Sequence, residues 1–254
     1  MFKNFLLMIQ FFTRIPVKRE LPCESKDFKR GTTFLAVVGM LLGILGFIVF
    51  GIFYLLTGEA LISILFYIGA ELLLTGAMHL DGLADVFDSF FIFGDSGKRQ
   101  EIMKDSRIGT FGAAAAILQV LAEGLLLAAV FDKVCGQDMM LFLLTICSYL
   151  AYARYAVNIT MYIAEPAKQK GTGNLFIGNT GIPQVLINLI IPSIILAFTV
   201  NIYAAVTTGA VLAALAVLFN LLCVKKIGGQ TGDTMGAVHE LSKLITLVIM
   251  LFFV

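Results

Sequence analysis

Thr33-Phe34-Leu35-Ala36-Val37-Val38-Gly39-Met40-Leu41-Leu42-Gly43-Ile44-Leu45-Gly46-Phe47-Ile48-Val49-Phe50-Gly51-Ile52-Phe53-Tyr54-Leu55-Leu56-Thr57 contains no charged side chain. A helix of that length crosses a hydrocarbon core of about 30 Å. Six more apolar stretches of roughly 20 residues follow: Ala60–His79, Thr110–Phe131, Met139–Ile163, Val185–Tyr203, Ala204–Val224 and Met235–Val254. The chain is 254 residues long, 59% hydrophobic and 14% charged, with a mean hydropathy of +0.94. Soluble domains are about 45–50% apolar and about 25% charged. The pattern predicts an all-α integral membrane protein with about seven transmembrane helices. The fifth and sixth spans abut, so a tight helical hairpin is expected there.

The remaining bulk features narrow the class. A net charge of +1 excludes a nucleic-acid partner. Cys23, Cys135, Cys147 and Cys223 have neither metal nor redox spacing and read as apolar packing. With no Trp, the interfacial belts fall to Tyr and Phe. Met1–Phe12 is too short to span and lacks a small-residue cleavage site. Phe2, Phe5, Leu6, Ile9, Phe12 and Ile15 recur at helical spacing, which fits an interfacial helix. Residues 1–30 are read as a cytoplasmic interfacial segment of a single membrane-embedded catalytic domain spanning 1–254.

Orientation follows from the basic residues. Lys3, Arg14, Lys18, Arg19, Lys26, Lys29 and Arg30 precede the first span. Lys98, Arg99, Lys104 and Arg107 follow the second, Lys168 and Lys170 the fourth, and Lys225 and Lys226 the sixth. Only Lys133 sits in the opposite loops, while Arg154 and Lys243 fall inside spans. The N-terminus is therefore expected in the cytoplasm and the C-terminus outside.

The same side carries the polar chemistry. In His79-Leu80-Asp81-Gly82-Leu83-Ala84-Asp85-Val86-Phe87-Asp88 three carboxylates stand at i, i+4 and i+7, one stripe of a helix. No Lys or Arg lies within nine residues of them on either side. Either this is a solvated helix end, or a hard divalent cation such as Mg²⁺ neutralises the repulsion and is shared with substrate phosphate. Glu101 and Asp105 repeat the i, i+4 spacing beside Lys104 and Arg107. They read as surface ion pairs, or as metal ligands with phosphate-binding cations next to them. Gly228-Gly229-Gln230-Thr231-Gly232-Asp233 resembles a phosphate cradle, or a flexible loop with Asp233 as an N-cap. Asn174, in Gly171-Thr172-Gly173-Asn174, is a base or ribose contact or a plain turn residue. Arg154 is expected to face the bundle interior and contact phosphate. Glu71 is an intramembrane carboxyl, a ligand or a residue that orients one, and His79 a base or an interfacial histidine. Glu123, deeper in its span, reads as structural.

Taken in order, His79-Leu80-Asp81-Gly82-Leu83-Ala84-Asp85, Glu101-Ile102-Met103-Lys104-Asp105-Ser106-Arg107-Ile108-Gly109-Thr110 and Gly229-Gln230-Thr231-Gly232-Asp233-Thr234 resemble the cobalamin synthases. That family is also called the adenosylcobinamide-GDP ribazoletransferases. Phe12-Thr13-Arg14-Ile15-Pro16 and Asn174-Leu175-Phe176-Ile177-Gly178 fit it too. The resemblance implies a Mg²⁺-dependent enzyme of a bacterial or archaeal cytoplasmic membrane. In that reaction a ribose hydroxyl of α-ribazole, or of its 5′-phosphate, attacks the phosphate carried by cobinamide, and GMP leaves. On this reading Asp81, Asp85, Asp88, Glu101 and Asp105 hold one or two Mg²⁺ ions at the cytoplasmic face, and two ions about 3.5–4 Å apart could stabilise attacking and leaving oxygens together. Lys104, Arg107 and Arg154 bind phosphates. Asn174, Gln230 and Asp233 contact the guanosine or ribazole portions, with Asp233 alternatively a metal ligand. Asp105 is the first choice for the base and Asp88 the second, while Glu71 and His79 would orient the ligands from behind. Partners would be the two substrates, the lipid bilayer, and either other cobalamin-assembly enzymes or a second copy of the chain.

Two rivals remain on the residues. A CDP-alcohol phosphatidyltransferase would share the two-metal idea, but Ser89 stands where its motif has Gly, and its Ala-Arg pair is missing. A cation-coupled transporter using Glu71 and Asp81 would need polar residues continuing to the outer face, and spans one, three and six offer almost none.

Overall fold

The computed structural model describes residues 1–21, 23–167 and 171–254, so Lys168 and Lys170 lie outside the described residues. The described residues are helical, with an isolated bridge between Pro166 and Gln230. Helix α1 (Phe2–Phe12) buries Leu7, Met8 and Phe12 and leaves Phe2 exposed. Helix α2 (Ser25–Gly31) runs through one 3₁₀ turn into α3 (Leu35–Thr57). After α4 (Ala60–Thr75), α5 (Met78–Phe90) and α6 (Ser96–Ile102) come the long helices α7 (Thr110–Lys133) and α8 (Met139–Ile163). The chain ends with α9 (Ile182–Thr199), α10 (Ile202–Ile227) and α11 (Gly232–Phe252).

Six of these segments are long and apolar enough to cross a membrane: Ser25–Thr57 and helices α7 to α11. The expected second span, Ala60–His79, departs from the sequence reading. It is α4 followed by α5, with an 89° bend between them. Gly76 (φ 65°) and Ala77 (φ 55°) both take the left-handed conformation that ends a helix. There Ala77 N–H reaches back to the Leu72 carbonyl at 2.8 Å. Arg14 secures the break from outside: its N–H donates to the Leu74 carbonyl at 2.6 Å, and its guanidinium fills the place a Gly76 side chain would take. Helix α5 therefore turns off the axis of α4 and carries its acidic stripe away from that axis.

The hub is α8, whose residues from Thr145 to Met161 are all buried. Helix α3 comes close to it at Gly39 and Gly43; a Cβ on Gly39 would stand 2.8 Å from the Leu150 carbonyl oxygen. The Gly-x3-Gly row thus serves packing within one chain. The expected hairpin between α9 and α10 turns on Val200 and Asn201, and the Asn201 side chain caps α10 by accepting from Ala204 N–H at 2.9 Å.

The connections after α5, α8 and α10 gather at one end of the bundle. Gln100 Nε2 donates to the Ile227 carbonyl (2.7 Å), and Lys226 Nζ to the Phe90 carbonyl (3.0 Å). Gln230 N–H donates to the Glu165 carbonyl, and Ala167 N–H to that of Gln230, each at 2.9 Å. A cluster of Met8, Phe12, Phe28, Val157, Met161 and Phe176 fastens α1 and α2 to the same end.

Candidate active site

Helix α5 presents Asp81, Asp85 and Asp88 and packs across the start of α11, where a Cβ on Gly82 would stand 2.6 Å from the Asp233 carbonyl oxygen. This contact brings Asp233, in the first turn of α11, up to the stripe. Asp233 is not the N-cap that the sequence allowed: Thr231 caps α11, accepting from Thr234 N–H, while its hydroxyl donates to Asp233 Oδ2 at 3.3 Å. Partial burial, then the charges of Asp233, Asp81 and Asp88, push the Asp85 carboxyl up to about 7.

Asp88, on the same stripe, is engaged by the start of α7. Its two oxygens accept from Gly109 N–H (2.6 Å) and Gly112 N–H (2.8 Å), capping the start of α7. Glu101 and Asp105 stand apart from the four aspartates. Glu101 pairs with Lys98 at 3.1 Å on the surface. Asp105 accepts from Arg107 Nη2 and Nε, and this guanidinium holds its carboxyl down to about 2. Asp105 and Arg107 meet Asp88 only along the wall of an open hollow.

Beside the acidic face lies a cleft with two lobes that share Thr172, Gly173, Gly232 and Asp233. The polar lobe, about 260 Å³, is lined by Lys104, Asn174, Gln230 and Thr231. The structure therefore brings together Lys104, Asn174, Gln230 and Asp233, residues remote in sequence. The Gln230 side chain is itself held, donating to Asn220 Oδ1 at 3.3 Å and accepting from the Thr234 hydroxyl. The second lobe, about 240 Å³, is apolar, walled by Phe11, Phe12, Phe176, Met161 and Met235, with His79 lining it.

Beneath the cleft sits a buried ionic cluster that the sequence revealed only in part. Lys243 Nζ lies 2.8 Å from Glu123, 3.1 Å from Glu71 and 3.2 Å from Glu240. Tyr149 donates to Glu123 at 2.9 Å, and Gln119 Nε2 to Glu240 Oε2 at 3.1 Å. The His239 ring stacks on His79 at 4.1 Å, and its Nδ1 lies 3.3 Å from Glu240 Oε1. Arg154 is fully buried, with Nη1 2.9 Å from His79 Nε2 and its guanidinium over the Phe12 ring. It thus lies under the cleft, on His79. The overlooked members, Gln119, His239 and Glu240, had one legible signal: Glu240 and Lys243 stand at i, i+3 inside an apolar span.

Two places could hold a cation. His79, His239 and Glu240 bring ligand atoms within 4.8 Å of one another, but Arg154 already occupies His79 Nε2 and the two rings stack. The face of Asp81, Asp85 and Asp233 is all oxygen and lies beside the cleft, which suits a hard divalent ion.

The pattern of the family described as cobalamin-5-phosphate synthase matches residues 4–251. Among curated relatives, an adenosylcobinamide-GDP ribazoletransferase of Clostridium tetani (strain Massachusetts / E88) is 39% identical over 253 residues, covering 97% of this chain and 95% of the relative. Relatives with the same name from Clostridium kluyveri (strain NBRC 12016) and Clostridium botulinum (strain Loch Maree / Type A3) are 36% and 38% identical. The first comparison covers 97% of this chain and 95% of the relative, the second 98% and 97%. No solved structure matches.

Proposed function

The chain belongs to the cobalamin-5-phosphate synthase family, and on that premise we propose that the face of Asp81, Asp85 and Asp233 is where its transfer chemistry takes place. The protein is a multi-pass membrane transferase that joins nucleotide-activated cobinamide to ribazole. The observation that carries the siting is Asp85, whose carboxyl is pushed up to about 7 by burial and by three neighbouring aspartates at the edge of the cleft. Such a group is a place for a cation to bind.

One or two Mg²⁺ ions would be held by Asp81, Asp85 and Asp233. Bound there, Mg²⁺ supplies charge neutralisation to the pyrophosphate of adenosylcobinamide-GDP. Lys104 reaches the polar lobe and contacts phosphate oxygens as a point charge. Asn174 and the Gln230–Asp233 turn orient the nucleotide end. Asp88 holds the start of α7 in place, and Arg107 keeps Asp105 ionised. Both oxygens of Asp88 are engaged by backbone N–H groups, and Asp105 is held near 2 by Arg107. The proton of the attacking ribose hydroxyl therefore passes to whichever carboxylate of the acidic face the cation leaves free. The site faces the cytoplasm, where nucleotide substrates are supplied.

The test is purified protein with adenosylcobinamide-GDP, α-ribazole and MgCl₂, with GMP release followed by chromatography. Asp81→Asn and Asp85→Asn should each slow release by roughly 10²–10³-fold while the protein still inserts. Near-normal rates in both variants would move the chemistry away from this face.

A further inference from the structure

The cleft has two lobes of opposite character meeting at one wall, and a transfer reaction has two substrates that must meet at one phosphorus. Resting on the function proposed above, we propose that the apolar lobe seats the benzimidazole base of ribazole, with His79 donating its Nδ1–H to the one free ring nitrogen of that base. The polar lobe then receives the guanosine nucleotide.

Shape and polarity separate the two candidates. An apolar cavity of about 150 Å³ already holds a benzene ring, and this lobe has about 240 Å³, room for a fused bicycle. Its walls are aromatic rings and thioethers. Phe176 packs against Phe11 and Phe12 with centroids 4.6 and 5.2 Å apart, and Met161 and Met235 complete the lining. Aromatic faces and polarizable sulfur suit a flat heteroarene. Guanine seated deep in this lobe would bury an edge of amine, amide and carbonyl against Phe and Met side chains, since Thr172 and Asp233 stand only at the wall the two lobes share. Dimethylbenzimidazole, joined to ribose through one nitrogen, carries a single hydrogen-bonding atom, its second nitrogen, which only accepts.

Away from the wall shared with the polar lobe, His79 is the donor that can answer that atom. Arg154 Nη1 lies 2.9 Å from His79 Nε2. A guanidinium only donates, so Nε2 accepts and the ring proton of neutral His79 resides on Nδ1. Nδ1 has no hydrogen-bond partner among the described residues. The ring stacks on His239 and lies nearly parallel to Phe12, 6.4 Å away at 11°, so it meets the cavity through its edge. His79 is thereby a specificity residue, and Arg154, which fixes its tautomer, a positioning residue. The turns at Gly173 and Gly232 close the wall between the lobes and set the ribose beside Asp233.

Binding can be read without turnover. The chain has no tryptophan, so the fluorescence of α-ribazole is followed on purified protein in nanodiscs with little background. A matched α-riboside of dimethylindole, with CH in place of the second nitrogen, serves as the probe of the hydrogen bond. On the native protein the indole riboside should bind about tenfold more weakly than α-ribazole. On His79→Ala the two should bind alike, and on Phe176→Ala both should weaken, while binding of GDP with Mg²⁺ stays native and reports an intact fold. Arg154→Met should narrow the ribazole–indole difference. Equal binding of the two ribosides to the native protein overturns the inference, as does loss of GDP binding in Phe176→Ala with ribazole binding intact. Failure of the native protein to release GMP overturns the function proposed above and leaves the binding comparison to be read alone.

Discussion

Lys243 stands in the interior with three carboxylates on one ammonium, the nearest being Glu123 at 2.8 Å. Removing one partner of a buried ion pair costs about 3–5 kcal/mol, because the charge left behind has neither water nor counterion. We expect Lys243→Met to lower the thermal unfolding midpoint in detergent sharply. Adding Glu123→Gln should recover part of the loss, since it removes one of the stranded charges. Simple addition of the two effects would mean that Lys243 is not the counterion of Glu123. Asp85 behaves differently because it lies at the face. Its carboxyl holds a proton up to about 7, and a cation must displace that proton to bind. Mg²⁺ affinity should therefore rise with pH through 7 and fall by roughly tenfold per unit below it. Calorimetry in two buffers of different ionisation enthalpy should show release of about one proton per ion near pH 6. In Asp85→Asn both the pH dependence and the proton release should vanish; pH-independent binding to the native protein would refute the assignment.

At the scale of elements, the break between α4 and α5 decides where the acids go. Straight on, Asp81 and Asp85 would continue along the axis of α4; the 89° bend lays them against α11 and Asp233 instead. Gly76→Ala places a side chain at φ 65° and into the Arg14 guanidinium. The left-handed strain costs about 1–2 kcal/mol and the overpacking about 1–3 more. We expect a lowered unfolding midpoint together with loss of GMP release. Gly69→Ala on α4 meets nothing within 4 Å, so it should leave both measurements native. Equal effects of the two substitutions would show that the break does not place the site. The same break marks the limit of what the sequence made legible. Hydropathy summed over Ala60–His79 passes smoothly through Gly76 and Ala77, because both are apolar enough. Their φ angles are fixed by Arg14, which no window over the span contains. The stripe of Asp81, Asp85 and Asp88 was readable because its period is local. That Asp88 is drawn off to cap α7 was not, since its partners Gly109 and Gly112 lie a whole connection away. Lys243 was visible as an intramembrane charge, but its partner Glu71 is 172 residues distant.

Across the whole molecule the polar interior is one-sided. From the cleft it descends through His79, His239 and Lys243 to the Tyr67–Tyr149 hydroxyl pair at 2.7 Å. Beyond that pair the bundle closes on Phe50, Phe131 and Phe142, whose ring centroids lie 4.7–5.4 Å apart. A transporter would need polar groups leading on to the far face; these rings block that path, and the buried charges instead brace the floor of a site reached from one end. Which face that end meets is set by the basic loops. Cys23 gives a native probe of it: it is exposed in the basic N-terminal segment, while Cys135, Cys147 and Cys223 are buried. If the N-terminus is cytoplasmic, a membrane-impermeant maleimide should leave Cys23 unlabelled in intact spheroplasts and label it once the membrane is permeabilised. In a Cys23→Ser, Val254→Cys variant the order should reverse, with labelling before permeabilisation. Labelling of Cys23 in intact cells would turn the bundle over, put the aspartates and the cleft outside, and separate the site from the cytoplasmic nucleotide it is proposed to use.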